Sequence, residues 1–77
     1  MSSHAGRYAY RLKAWPDLPV RLRTAPVLRT LSRMAHGPVT HNWFVHSTRL
    51  PVREAEALLA CMEEQEWIER IDFAAGP

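Results

Sequence analysis

From Arg7 to Trp15 the chain reads RYAYRLKAW, with Tyr8, Tyr10, Leu12 and Ala14 on one side of an extended backbone and Arg7, Arg11 and Lys13 on the other. A period of two with β-favouring aromatics predicts a strand. Trp15-Pro16 closes it, because the residue before proline is pushed toward extended or turn geometry. Residues 16–23 are then expected to form a connector holding at most one irregular helical turn.

The period changes after Thr24. Val27, Leu28, Leu31, Met34 and Ala35 recur at helical spacing, with Arg29 and Arg33 on the outer side. Thr24 is placed to cap this helix, and Pro26 falls in its first turn, where a missing N–H costs nothing. Gly37-Pro38 ends it, with glycine suited to a left-handed C′ position and proline unable to continue. Thr40 can cap a second, short helix over His41 to Ser47, with Trp43, Phe44 and one of His46 or Ser47 turned inward. Thr48-Arg49-Leu50 makes a tight connection to a third helix from Pro51 to about Gln65. There Ala55, Leu58, Leu59 and Met62 sit at i, i+3, i+4 and i+7, a narrow apolar stripe. Leu31, Phe44, Leu58, Leu59 and Met62 are expected to meet in one core. In WIERIDF, Trp67, Ile71 and Phe73 alternate as in a short strand, and Ala74 to Pro77 reads as a tail. No internal repeat or low-complexity segment appears.

Composition narrows the class. A chain of 77 residues has room for one hydrophobic core, so residues 1–77 are read as one domain with frayed ends at 1–6 and 74–77. At 47% hydrophobic and 23% charged residues it is globular in type. The opening MSSHAGRYAYRL has no apolar stretch of signal-peptide length, and no window approaches the ~20 apolar residues that span a bilayer. Cys61 is the single cysteine, which excludes an internal disulfide and a cysteine-rich zinc site. A soluble, cytoplasmic chain is the expectation.

The net charge of +2 conceals an uneven distribution. Up to Arg53 the chain carries nine of its ten Lys and Arg against Asp17 alone, a balance of +8; from Glu54 onward it carries Arg70 alone against seven acids, a balance of −6. Such asymmetry points to charged partners, or to two halves that attract each other within the fold.

Two helices joined by a short turn, with an apolar residue before the second, form a helix-turn-helix arrangement. Gly37-Pro38 with Thr40, Leu50-Pro51, the Glu56-Ala57-Leu58-Leu59 segment and Trp67-Ile68-Glu69-Arg70 leading into a strand carry a further likeness: residues 24–73 resemble the bacterial winged-helix families. The resemblance implies an α+β, mostly helical fold of three helices, with the third helix lying in a DNA major groove. It would present Val52, Arg53, Glu56, Ala57 and Ala60, flanked by Thr48 and Arg49, with Arg29 and Arg33 of the first helix as further phosphate contacts. This chain departs from the pattern twice. Gln65-Glu66 stands where such families have a glycine, and the sequence ends about four residues after the last strand, leaving a truncated wing. The alternating segment at the other end offers a substitute. Residues 8–14 are expected to pair antiparallel with 67–73 in a short two-stranded sheet, bringing Arg7, Arg11 and Lys13 near Glu69 and Asp72.

Two functions of different class stay open. One is a DNA-binding transcription regulator acting on duplex DNA, favoured by the fold and by Arg49 and Arg53. The other is a protein-interaction adaptor using the acidic third helix, favoured by the missing wing and by Arg53 standing against Glu54, Glu56, Glu63 and Glu64. Glu63 and Glu64 could point away from DNA, but Glu56 sits beside the reading face, where a carboxylate can accept from cytosine N4 and in most settings repels the backbone. Enzyme chemistry is not expected. Ser47 beside His46 is mere adjacency, Cys61 is expected to be a half-buried helix residue beside Met62, Glu63 and Glu64, and no glycine-rich phosphate loop exists. His36, His41 and His46 recur every five residues, which does not converge them on a metal; no metal or other cofactor is expected. RYAYRLKAW could also serve as a single-strand stacking platform, against the plainer reading that its tyrosines pack inward. With no long extra helix to build an interface, the chain is expected to be a monomer or weak homodimer.

Overall fold

The computed structural model describes residues 8–72. In chain order it contains β1 (Tyr8–Leu12), a single 3₁₀ turn (Val20–Leu22), α1 (Ala25–His36), β2 (Val39–Thr40), α2 (His41–Thr48), α3 (Val52–Glu64) and β3 (Ile68–Asp72). The expectations for Arg7, Phe73 and the frayed ends lie outside the described residues. The architecture is mixed α+β, three helices with a three-stranded antiparallel sheet in the order β2-β1-β3.

β1 pairs with β3 from Tyr8↔Asp72 to Leu12↔Ile68, and the Lys13 and Ala14 amides extend the contact by donating to the Trp67 carbonyl at 2.7 and 3.1 Å. The expected pairing of the two end segments is therefore present. The sheet is nevertheless not two-stranded: Val39 and Thr40 pair with Tyr10 and Ala9 on the other side of β1. Two residues are too few to show a period. Tyr10 is buried, with Tyr8 and Leu12 packed partly against the core, as the alternation predicts, whereas Ala14 is exposed and Ala9 is buried. Within β3 the buried isoleucine is not the expected one. Ile68 is buried, while Ile71, opposite Ala9, is only partly covered; Trp67, just ahead of the strand, keeps a partial core contact. The cause is register: Ile68 lies opposite Leu12 and so shares its face, and a shift of one residue exchanges every side chain between faces.

α1 begins as expected, with Thr24 Oγ1 accepting from the Val27 amide. Its buried stripe is Val27, Thr30, Leu31 and Met34, leaving Leu28 and Ala35 at the surface. Thr30 is tolerated inside because its hydroxyl lies 2.8 Å from the Pro26 carbonyl and 2.7 Å from the Ser47 hydroxyl, a buried polar link between α1 and α2. Gly37 has a φ of 175°, extended and not left-handed, the geometry that the following Pro38 favours. In α2, capped by Thr40, Phe44 is fully buried but Trp43 is exposed. α3 buries Ala55, Leu58, Leu59 and Met62, the four positions of the predicted stripe, and Leu31, Phe44, Leu58, Leu59 and Met62 share one core. Cys61 is exposed, not half-buried.

The missing glycine after α3 is resolved by Glu66, which takes the left-handed conformation itself at φ 62°. The Trp67 amide donates to the Met62 carbonyl and the Glu66 amide to that of Glu63, at 2.9 and 3.0 Å. These are the two bonds of a Schellman termination. Trp67, following the turn, then packs against the core.

Candidate nucleic-acid interface

α2 and α3 are separated by Arg49, Leu50 and Pro51. The reversal depends on Arg49, whose φ of 62° is left-handed and whose amide donates to the His46 carbonyl. Pro51 then leads into α3, and its carbonyl accepts from the Ala55 amide at 2.9 Å. With Ala55, Leu58, Leu59 and Met62 buried, α3 turns Val52, Arg53, Glu56, Ala57 and Ala60 outward.

Of the predicted site residues, Arg49, Val52 and Glu56 come together around a groove of about 400 Å³ between the two helices. Arg53 is exposed on α3 beside it. Thr48 is not available to a ligand. It is buried, its hydroxyl donates to the Val45 carbonyl at 3.1 Å, and the Leu50 amide donates to it at 3.5 Å. Its place is inside the turn. Arg29 and Arg33 are exposed on α1 and do not line this groove; Arg33 borders a smaller hollow with Pro38, Thr40 and Trp43.

The groove also gathers His41, Asn42 and His46, which sequence reasoning did not place here. His41 Nε2 lies 3.4 Å from Glu56 Oε2, an ion-pair distance if the ring is protonated. No spacing rule joins these residues, because the contact arises from how α2 packs on α3. The other ring nitrogen, His41 Nδ1, is buried without a hydrogen-bond partner. Among the described residues, no three His, Cys, Asp or Glu side chains are arranged to hold a metal ion. No helix among them is long and apolar enough to cross a membrane.

The charge asymmetry resolves into two populations. Arg11 pairs with Glu69 at 2.8 Å, Lys13 with Glu66 at 4.0 Å, Arg21 with Glu54 at 4.0 Å, Arg23 with Asp17 at 3.5 Å and Arg70 with Glu63 at 3.3 Å. The first three join the basic half to the acidic half. Arg29, Arg33, Arg49 and Arg53 have no carboxylate partner among the described residues. All of these side chains are substantially exposed, so the pairs contribute little to stability; what they decide is which charges remain without an internal carboxylate.

Comparison with known proteins adds no relative: no family model, curated protein or solved structure matches this chain.

Proposed function

We propose that this chain is a winged-helix-like DNA-binding module of the transcription-regulator type, with α2 and α3 as its helix-turn-helix and α3 entering the major groove. The observation that carries this reading is the division of the arginines. Among the described residues, five basic side chains are matched by carboxylates, and the four left without one, Arg29, Arg33, Arg49 and Arg53, are those placed on α1, the turn and α3. Unmatched guanidinium groups bind phosphate without first giving up an internal partner.

The strand order supports the same reading. In a winged helix, the strand between the first two helices and the strand after the third flank a central strand; here β2 and β3 flank β1. The central place is filled from the N-terminal side of the described chain, so the two strands that a wing loop would join meet at the Tyr8↔Asp72 pair.

The acidic-adaptor alternative requires free carboxylates on α3. Of its four glutamates, Glu54, Glu56 and Glu63 each have a cationic or titratable partner within 4.0 Å, leaving Glu64. Fluorescence anisotropy with generic duplex DNA over a salt series tests the choice. Four arginine contacts give a slope of log affinity against log salt of about −3 to −4. Absence of binding at low salt overturns the DNA reading and leaves the adaptor.

A further inference from the structure

On the DNA-binding reading, which this inference deepens, we propose that Glu56 reads a C·G base pair and that His41 is the residue that positions it. A carboxylate on a DNA-facing helix is repelled by phosphates unless its charge is answered and its orientation fixed. Arg49 in the same groove and Arg53 one turn back on α3 address the first condition, and His41 addresses the second. The Glu56 side chain is half exposed, and His41 Nε2 lies 3.4 Å from its Oε2, while the His41 side chain is only 18% exposed.

The ring is held from one side only. Nδ1 is buried without a partner, so no competing acceptor draws the proton there. An unmet lone pair is also tolerated better than an unmet N–H. The carboxylate therefore favours the tautomer with the proton on Nε2, the ring nitrogen 3.4 Å from Oε2. Glu56 contacts the ring through that oxygen, and Oε1, which has no partner among the described residues, remains an acceptor on an exposed side chain of α3. Arg49 lines the same groove, and Arg53 lies one turn back on α3, where both can answer the flanking phosphates. His46 and Asn42 complete the polar wall on α2.

The major-groove pattern then decides the base. Cytosine presents the N4 amino donor alone; adenine sets an acceptor beside its donor, guanine presents two acceptors, and thymine an acceptor and a methyl group. A group that can only accept is matched by cytosine and opposed by the rest.

The test is selection of binding sites from randomised duplexes by the full chain and by Glu56→Gln, His41→Phe and His41→Gln, with melting temperature and salt slope measured for each. The unchanged chain is expected to enrich cytosine at one position by about tenfold. Glu56→Gln should move that preference to adenine, whose N6 and N7 a carboxamide meets in bidentate fashion. His41→Phe keeps the ring but lacks the donor; it should retain the melting temperature and salt slope and lose most of the preference. His41→Gln, whose amide nitrogen takes the place of Nε2, should restore it. A merely structural His41 would instead move the melting temperature or overall affinity and leave base choice intact. If the unchanged chain binds duplexes with a steep salt slope but Glu56→Gln selects the same bases, the inference fails while DNA binding stands. If His41→Phe keeps full preference, the positioning role is overturned. If no duplex is bound at low salt, both readings are overturned.

Discussion

In the sheet, each described basic side chain has an acidic neighbour: Arg11 faces Glu69, Lys13 approaches Glu66, and Arg70 reaches Glu63 while its guanidinium carbon lies 4.8 Å from the centre of the Tyr8 ring. In the helix pair, Arg49 and Arg53 have none, and the nearest α3 acid in the groove, Glu56, is turned to His41. The two regions use the same residue type for different ends. In the first, charge is matched internally around a sheet that joins two segments distant in the chain; in the second, Arg49 and Arg53 are left without a carboxylate partner among the described residues. A net charge of +2 says little about ligand class until internal pairs have been removed from it.

Removing the sheet should have the most severe effect. Deleting residues 1–15 takes away β1, the central strand, and leaves β2 and β3 without a pairing partner. Circular dichroism should then show no cooperative melting, and a native-like transition would show that the helices stand without the sheet. A core substitution shared by both regions comes next. Leu59→Ala should cost about 2–5 kcal/mol in denaturant unfolding, and a loss below about 1 kcal/mol would contradict the packing of α3.

The contrast between paired and unpaired arginines is sharpened by substitution in each set. Arg49→Ala with Arg53→Ala should flatten the salt slope of duplex binding by about 2, whereas Arg11→Ala with Arg70→Ala should leave it unchanged. Equal effects in the two sets would erase the distinction.

Two smaller effects probe the sheet side. Tyr10 is held above its ordinary value of 10.0, first by burial and then by the Glu63 charge, with Arg70 opposing. Because the folded state holds this proton more tightly than the unfolded state, the stabilisation is fully present below pH 10.0 and is lost as pH rises through the folded value. Tyr10→Phe should therefore reduce the alkaline fall in stability; an unchanged alkaline limb of the pH–stability curve would contradict this. Last, Glu66→Gly should raise stability by about 1 kcal/mol, since glycine takes the left-handed position without the Cβ clash. A loss of stability would show that the glutamate side chain contributes more there than its backbone costs.

Local chemistry was legible in the sequence. Thr24 and Thr40 cap helices through contacts three residues away, the Ala55, Leu58, Leu59 and Met62 stripe follows from helical period, and the Tyr8, Tyr10 and Leu12 face follows from a period of two. Even the joining of the two end segments could be anticipated, because each showed an alternating pattern. Tertiary structure decided the rest. The inward face of β3 depends on register, and β2 exists because Val39 and Thr40 lie against β1, too short a contact to leave a period. Thr48 looks like a surface threonine in sequence and is a buried link of the turn. Which arginines stay free, and that His41 meets Glu56, are matters of distance between elements. Caps and stripes act over a few residues of backbone, and sequence determines them; register, burial of a polar side chain and charge pairing are set where distant segments meet, and only the folded chain contains those distances.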